Sequence, residues 1–241
     1  MTKLSLSSVT LVTVDTVCHA LTEMALAETM RHAEFSEVIV LSDKKLNVPG
    51  ALQRPYQASS RDDVARAYWS VLPWLVATEF MLIVHWDSWI IHPERWQDEF
   101  LSSDYIGAPW WYTDGHNVGN SGFNIRSTKL ARHIALSGLR CSCPDDDAIC
   151  RHYRSELESD GFTWATQELA WRFAFERTSL YPTDQVFGFH GIFNWPLVLS
   201  NEAIEERMAK APEYVFKSEE YQQMRQIMTS KQKSFDFERS S

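Results

Sequence analysis

The sequence predicts an α/β fold with a central mixed, mostly parallel sheet that is flanked by helices. The β-branched run Val9–Val14 is typical of a buried strand, and Val17, Leu21 and Met24 follow it at helical spacing. Val38–Leu41 forms the next β-branched, apolar run. A strand, a helix and a second strand in so short a span indicate a βαβ unit, whose two strands run parallel.

A third strand is expected at Phe80–Val84, which is an uninterrupted apolar run. Residues 44–60 lie between the second and third strands, and their prolines and glycine are typical of a loop. Ser60 is expected to cap the helix that follows, with Asp63 three residues later as its partner. Pro73 is expected to kink or end that helix, because proline cannot donate a backbone hydrogen bond.

After the third strand, the pattern changes from regular alternation to mixed elements. The expected elements are a short helix at 93–101, a strand at 105–109, a glycine-rich segment at 119–122 that leads into a strand, helices at 127–135, 148–157 and 167–175, a loop at 185–191, a helix that Asn201 caps, and a polar helix from 218.

The chain has no repeats and no linker, so we expect one domain at 1–217, followed by a polar C-terminal helix and tail at 218–241. The aromatic and methionine side chains of that helix are expected to dock on the core. Docking on a partner or on a second copy of the chain, which would make a homo-oligomer, is the alternative.

Charge and hydropathy limit the classes of function. The chain has 241 residues and a formal net charge of −9, which disfavours nucleic-acid binding because phosphate neutralisation needs a basic face. No apolar stretch approaches the roughly 20 residues of a transmembrane helix, and the N-terminus lacks the features of a secretory signal. We therefore expect a cytoplasmic protein whose cysteines are reduced thiols rather than zinc ligands. These cysteines are Cys18, Cys141, Cys143 and Cys150.

Asp87 is the first candidate functional residue. It follows the predicted strand Phe80–Val84 and lies between Trp86 and Trp89. In open α/β sheets, ligands bind at the carboxyl ends of the strands, and hard divalent cations prefer oxygen ligands such as a carboxylate. The segment therefore indicates a metal or ligand site, although a solvated turn aspartate is the alternative.

Three further segments carry groups that are suited to chemistry. Asp145–Asp147 opens a predicted helix, where acids stabilise the exposed backbone amides; alternatively, one of them acts as a general base. His190 lies between glycines in Phe187–Gly191 and is either a structural histidine or a contact to metal or phosphate. Gly119–Gly122 is either a plain turn or a loop whose amides face a ligand.

Taken in this order, the segments resemble the GT-A-fold glycosyltransferases, and more closely a family of glycosyltransferase-like domains found mainly in bacteria and fungi. The resemblance spans roughly residues 80–191. The motifs that carry it are His85-Trp86-Asp87-Ser88-Trp89, Tyr105–Trp110, Gly119–Ser127, Asp146-Asp147 and Phe187–Gly191.

The resemblance implies a single GT-A-like domain with a Rossmann-like, nucleotide-binding N-terminal half. It also implies a metal-dependent, inverting transfer of a sugar from a nucleotide-sugar donor to a glycan or other hydroxyl acceptor, as in polysaccharide biosynthesis. The implied cofactor is a divalent metal ion, Mn²⁺ or Mg²⁺, held by Asp87 and His190. The implied catalytic base is Asp146 or Asp147.

The remaining assignments also follow from the resemblance. The residues assigned to the donor sugar and the acceptor are Trp86, Ser88, Trp110, Trp111, Asn120, Ser121 and Gly122. The residues assigned to the nucleotide are Thr13, Asp15 and Arg61.

His85 replaces the first aspartate of the usual Asp-x-Asp motif, and this departure favours an alternative function that is not enzymatic. That alternative is a catalytically inactive carbohydrate- or nucleotide-binding protein with the same fold. Ser121 is a milder departure, since it stands where the family usually has glycine. A metal-dependent phosphoesterase would need further ligands near Asp87, and His92 and His116 are the candidates nearest in sequence.

Overall fold

A six-stranded sheet forms the centre of residues 1–190 in the computed structural model, which describes residues 3–141, 144–177 and 181–240, with backbone only for 231–240. A three-stranded sheet lies in the same unit. The strands are β1 (Leu4–Val14), β2 (Ala33–Ser42), β3 (Leu52–Pro55), β4 (Phe80–Val84), β5 (Ser88–Ile90), β6 (Tyr105–Gly107), β7 (Phe123–Ser127), β8 (Ala174–Phe175) and β9 (Gly188–His190).

The large sheet has the order β3-β2-β1-β4-β7-β6. Its first four strands are parallel to one another, whereas β7 is antiparallel to both β4 and β6. The predicted α/β class, with a central mixed and mostly parallel sheet flanked by helices, is therefore confirmed. The small sheet has the order β5-β9-β8, in which β5 is antiparallel to β9 and β8 is parallel to it.

The helices of the first unit are α1 (His19–His32), α2 (Arg61–Arg66), α3 (Leu72–Leu75), α4 (Thr128–Leu136), α5 (Asp145–Asp147), α6 (Arg154–Ser159) and α7 (Gln167–Phe173). Two π-helices, Ala67–Val71 and Ala148–His152, directly follow α2 and α5. Short 3-10 helices lie at Pro93–Arg95, Asp98–Leu101 and Thr183–Gln185.

Several predicted helix and strand ends have the expected local chemistry. The Ser127 hydroxyl accepts a hydrogen bond from the backbone N–H of Leu130 at 3.0 Å and so caps α4. Ser60 caps α2 by accepting from the N–H of Asp63, whose carboxylate accepts a hydrogen bond from the Ser60 hydroxyl in return. All residues from Val9 to Val14 are buried, as expected for a central strand that is covered on both faces.

Other boundaries differ from the predictions. The expected loop at 44–60 contains β3, an edge strand whose polar sequence shows no alternation and which ends at Pro55. The expected loop at 185–191 contains β9. Ser200, rather than Asn201, caps the helix of residues 201–208, because its hydroxyl accepts from the N–H of Ala203. The helix expected at 148–157 is divided into a π-helix and α6.

The second unit, residues 191–241, is helical in its described part. Its elements are a 3-10 turn at Ile192–Asn194 and the helices α8 (Trp195–Val198), α9 (Asn201–Met208), α10 (Glu213–Phe216) and α11 (Glu219–Ser240). The boundary predicted at 217 falls inside this unit. Among the described residues, no helix is both long and apolar enough to cross a membrane.

Three of the four cysteines lie in the described residues and are thiols that form no disulfide with one another, namely Cys18, Cys141 and Cys150. Cys143 lies outside the described residues. Burial raises the pKa of the Cys150 thiol to about 12, so this side chain stays protonated and unreactive at neutral pH.

Candidate functional site

The carboxyl ends of β1 and β4 form the point at which the strand order reverses. From β1 the chain proceeds outward through β2 and β3, whereas β4, on the other side of β1, leads to β7 and β6. In open α/β sheets, the crevice at such a switch point binds ligands. Because Val12 pairs with Ile83, the residues that follow β1 and β4 emerge side by side at this edge.

A tight turn holds Asp87 at the end of β4. The carbonyl of His85 accepts a hydrogen bond from the backbone N–H of Ser88 at 3.2 Å. The Ser88 hydroxyl donates to the carbonyl of Gly122 at 2.6 Å and ties this turn to the loop before β7. Asp87 is 8% exposed. Burial acts to raise the pKa of the Asp87 carboxyl, but the neighbouring His190 outweighs it and lowers the pKa below the ordinary value.

The small sheet brings His190 to Asp87. Ser88 in β5 pairs with His190 in β9, and Nε2 of His190 lies 3.4 Å from Oδ1 of Asp87. On the other side of the ring, Nδ1 lies 3.0 Å from Oε1 of Glu176, which directly follows β8. Burial acts to lower the pKa of His190, but Asp87 and Glu176 outweigh it and raise the pKa to about 10. The two predicted metal ligands, Asp87 and His190, thus lie together, and the His190 ring lies between the carboxylates of Asp87 and Glu176.

Glu176 is a site residue that the sequence analysis missed. Its carboxylate is held by His190, which lowers its pKa against the opposing effect of burial. The signal in the sequence was an apolar segment, Phe173–Phe175, that ends at a single carboxylate. The sequence predicts one helix at 167–175, which places no carboxylate at a strand end there.

Asn120 and Gly122 fix the loop against which His190 packs. Asn120 has a backbone φ of +80°, which is unusual for a residue other than glycine. Its side-chain Oδ1 accepts from the backbone N–H groups of Gly122 and Phe123, and its Nδ2 lies 3.0 Å from Nδ1 of His190. A Cβ atom on Gly122 would lie 2.0 Å from Nε2 of His190, so only glycine leaves room for the ring. Asn120, Ser88 and Gly122 therefore position other groups of the site.

The acidic turn α5 divides its three carboxylates between different environments. Asp145 is buried and its Oδ2 lies 2.6 Å from Nη2 of Arg126. The Asp147 side chain is 38% exposed and lies 3.3 Å from Nε2 of His152. Asp146 is buried, and its Oδ1 accepts a hydrogen bond from the backbone N–H of Asp147 at 3.0 Å.

The pKa of the Asp146 carboxyl is raised far above its ordinary value. Burial is the largest effect on its carboxyl group, and the negative charges of Asp145 and Glu176 add to it, so that the pKa rises to about 7. A π-helix follows this turn, an irregularity that is frequent at functional sites.

The arginine that pairs with Asp145 is itself enclosed by aromatic rings. Arg126 lies on β7, with its guanidinium 5.4 Å from the ring centre of Tyr105 and 5.9 Å from that of Tyr68. Its Nε donates to Oδ1 of Asn124 at 3.0 Å. These contacts pair Arg126 and Asp145 with each other and with neighbouring groups inside the protein.

Three buried polar atoms at this edge have no hydrogen-bond partner among the described residues. They are Oγ1 of Thr13, Oδ2 of Asp15 and Nε2 of His85. Burial, followed by the effect of His190, lowers the pKa of His85 to about 4, so its ring is neutral at pH 7. Unpaired buried polar atoms are costly, so a ligand or a water molecule bound at the switch point would stabilise these three atoms.

The donor set suits a divalent cation. One nitrogen of His85, one oxygen of Asp87 and one nitrogen of His190 all lie within 4.8 Å of one another. Glu176 holds Nδ1 of His190, and a carboxylate on the far nitrogen is the usual support of a histidine that binds a metal. The unpartnered Nε2 of His85 and the arrangement Glu176–His190–Asp87 therefore fit a metal ion.

The tryptophans and the arginine that the sequence analysis assigned to the substrates differ in their exposure to solvent. Trp110 is 8% exposed and packs against Gly119, where a Cβ atom would lie 2.1 Å from its ring, whereas Trp111 is 58% exposed. Trp86 is half-buried and directly precedes Asp87, while Arg61 is exposed at the start of α2. Trp110 therefore offers little surface for stacking, and Trp111 offers more.

Ser121 takes part in the loop before β7 through its backbone, because its carbonyl accepts a hydrogen bond from the side-chain amide of Asn124 at 2.9 Å.

The two histidines considered for a phosphoesterase site pair with other residues. His92 pairs with Glu94, and His116 lies 3.9 Å from Glu158. Neither of these two histidines belongs to the cluster of Asp87, so the ligand set required for a phosphoesterase is not found at these positions.

A cleft of about 360 Å³ opens at the carboxyl ends of β2 and β3. Its lining includes the cationic side chains of Lys44, Lys45 and Arg54 but not Asp87 or His190. Asp15 donates its backbone N–H to the carbonyl of Leu41, near the end of β2, so this cleft lies on the β1 side of the switch point.

Known proteins resemble the chain only distantly. No curated protein sequence matches it significantly. Among solved structures, it is similar to the mannosyltransferase PcManGT from Pyrobaculum calidifontis in complex with GDP-mannose and Mn²⁺, with 11% identity, a TM-score of 0.45, and coverage of 67% of this chain and 55% of that one. It is also similar to the glycosyltransferase GlyE from Streptococcus pneumoniae, with 10% identity, a TM-score of 0.47, and coverage of 95% and 64%.

A third similar structure is TarS 1–349 from S. aureus, with 12% identity, a TM-score of 0.43, and coverage of 88% of this chain and 72% of that one. The chain thus spans less than two thirds of the first two proteins. A family model described as "Protein of unknown function (DUF5672)" matches residues 66–190, which is more than half of the chain. The chain belongs to the DUF5672 family.

Proposed function

We propose that the protein is a metal-dependent, inverting glycosyltransferase, which moves a sugar from a nucleotide-sugar donor to a hydroxyl group of a glycan or other acceptor. One observation carries the proposal. Asp87 and His190 meet at the switch point of the sheet, where Glu176 holds the other side of the His190 ring. Asp146 is a buried carboxylate whose pKa is raised to about 7. Cation ligands and a general base beside a nucleotide-type crevice are what sugar transfer requires.

The nucleotide occupies the β1 side of the crevice in this proposal. Thr13 and Asp15 each present a buried oxygen without a partner among the described residues, and hydroxyl groups of a ribose or donors on a base would satisfy them. The lysines and the arginine of the neighbouring cleft supply positive charge to an otherwise acidic protein.

The residues that would hold the cation are Asp87 and His190, with Glu176 orienting the imidazole of His190. When bound, a divalent cation supplies positive charge against the negative charge that develops on the departing diphosphate. Glu176 engages Nδ1 of His190, so the nitrogen that faces Asp87 is the one that would meet the cation, in place of the proton it shares with Asp87.

Asp146 acts as the general base. With a pKa of about 7, about half of its carboxyl groups are ionised at neutral pH, which suits proton removal from a hydroxyl. The acceptor oxygen forms a bond to the anomeric carbon of the donor sugar, and the bond from that carbon to the diphosphate oxygen breaks. The acceptor proton passes to Asp146, and the nucleoside diphosphate leaves with the bonding electrons.

The test is release of nucleoside diphosphate from a panel of nucleotide sugars with Mn²⁺, with and without hydroxyl acceptors. We expect release with one class of donor, and loss of release in Asp87→Asn and Asp146→Asn. Asp62→Asn is the matched control, because Asp62 is exposed on α2 and should leave turnover unchanged. Metal-dependent binding of the nucleotide without turnover of any donor would favour the inactive binding protein instead.

A further inference from the structure

His85 occupies a fixed position next to the two proposed cation ligands. Its backbone N–H donates to the carbonyl of Gly122 at 2.9 Å. Its ring contacts two aromatic neighbours, with the centre 5.7 Å from that of Tyr68 and 5.8 Å from that of His190. The His190 ring meets it at an interplanar angle of 80°. The imidazole is therefore packed against both of these rings.

The Nε2 atom of His85 is buried and has no hydrogen-bond partner among the described residues. A structural histidine in such a position normally pairs both of its polar atoms, since leaving a buried polar group unpaired destabilises the folded state. One nitrogen of this ring also lies within 4.8 Å of a ligand atom of Asp87 and of His190. His85 thus belongs to the same cluster as the other two candidate ligands, and its buried Nε2 has no hydrogen-bond partner in the described part of the chain.

We propose that His85 is a third protein ligand of the cation and that the resulting set of two imidazoles and one carboxylate selects Mn²⁺ over Mg²⁺. This inference rests on the proposed function for the presence of a cation at Asp87 and His190. Mg²⁺ prefers oxygen ligands in octahedral geometry and gives up its waters reluctantly. Imidazole nitrogen suits transition-metal ions, whose affinities rise from Mn²⁺ along the first row. The histidine at position 85 therefore sets metal selectivity rather than removing metal binding.

The test is a titration of the full chain with Mn²⁺, followed by the loss of the electron paramagnetic resonance signal of free Mn²⁺, with Mg²⁺ as competitor. The spin echo of bound Mn²⁺ then reports the nitrogen atoms that are directly attached. We expect modulation from two imidazole nitrogens in the wild type and from one in His85→Ala. We also expect His85→Ala to bind Mn²⁺ at least about tenfold more weakly, since even losing a supporting partner of a ligand costs about 10–100-fold.

The His85→Asp variant distinguishes a change in metal selectivity from a general loss of metal binding, because it replaces a nitrogen ligand by an oxygen ligand at the same position. It should bind Mg²⁺ more tightly relative to Mn²⁺ than the wild type does. His92→Ala, which removes a histidine outside the cluster, should match the wild type. Thermal melting without metal identifies any variant that does not fold, and the spin-echo measurement on the wild type needs no variant.

Two results separate the failure of this inference from the failure of the proposed function. A wild type that binds Mn²⁺ through one nitrogen, with affinity unchanged in His85→Ala, overturns the role of His85 and leaves the proposed function standing. A wild type that binds no Mn²⁺, alone or with a nucleoside diphosphate, overturns both.

Discussion

The carboxylate of Glu176 lies 3.0 Å from Nδ1 of His190, so that the other nitrogen of the same ring faces Asp87 at 3.4 Å. The three residues come from different parts of the chain, and the small sheet β5-β9-β8 aligns them: Asp87 directly precedes β5, Glu176 directly follows β8 and His190 ends β9. This sheet therefore assembles the site at the carboxyl edge of the large sheet.

Glu176→Gln should weaken Mn²⁺ binding by about 10–100-fold, because glutamine keeps a hydrogen bond to His190 but removes the charge that supports it as a ligand. Titration calorimetry with Mn²⁺ measures this effect. Glu168→Gln is the matched control, since Glu168 is exposed and pairs with Arg172. Equal Mn²⁺ affinities in Glu176→Gln and the wild type would remove Glu176 from the metal site.

Gly122→Ala should abolish tight cation binding, because the new methyl group would lie 2.0 Å from Nε2 of His190 and must displace that ring. The Gly115→Ala variant is the control, because it measures how much a glycine-to-alanine substitution outside the site lowers the stability of the protein. Gly115 has a φ of +87° but no atom within 4 Å of an added Cβ, so it should lower the melting temperature by a few degrees and keep Mn²⁺ affinity. Wild-type affinity in Gly122→Ala would show that His190 is not a ligand.

The pH dependence of kcat/KM should report Asp146. Its pKa of about 7 means that the ionised base is lost as the pH falls, so kcat/KM should rise with pH, with a midpoint near 7. Asp146→Asn should lower kcat by about 10²–10⁴-fold, the usual contribution of a general base. A rate that is independent of pH between 5.5 and 8.5 (about 1.5 units either side of that midpoint) would exclude this role.

Asp146 and Asp145 should affect stability in opposite directions. The native pKa of Asp146 is raised from 3.8 to about 7, so the native state holds a proton more tightly than the unfolded state. The stability this provides is fully present below pH 3.8 and is lost as the pH rises to 7. In the absence of metal, the Asp146→Asn substitution should therefore raise the melting temperature at pH 8. At pH 4 the same substitution should leave the melting temperature nearly unchanged.

Asp145→Asn should instead destabilise the protein by about 3–5 kcal/mol, since it leaves Arg126 buried without its anionic partner. Thermal and denaturant unfolding of both variants checks the contrast. Equal melting temperatures for Asp145→Asn and Asp146→Asn at pH 8 would contradict the division of roles in α5.

The fold class could be predicted because β1, β2 and β4 are long or strongly apolar runs. The helix α1 between β1 and β2 also indicates a crossover connection, which joins parallel strands. Asp87 could be predicted because it ends such a run. The strands β3, β8 and β9 are only two to four residues long, too short for any periodicity to show. Glu176 depends on β8 and was missed for that reason.

The role of Asp145 was not apparent from the sequence either. Nothing in the acidic run indicates which carboxylate pairs with an arginine on β7, because that pairing depends on tertiary packing. The two π-helices were likewise predicted as parts of α-helices, since a single inserted residue barely alters helical spacing.

The most direct measurement is calorimetric titration of the full chain with GDP and with UDP, in the presence and absence of Mn²⁺, for the wild type and Asp87→Asn. If a cation at Asp87 and His190 joins a diphosphate to the switch point of the sheet, the wild type binds one of these nucleotides at least about tenfold more tightly with Mn²⁺, a coupling of about 1.4 kcal/mol. Asp87→Asn then loses this coupling. Binding of neither nucleotide, or identical binding with and without Mn²⁺, would contradict the account.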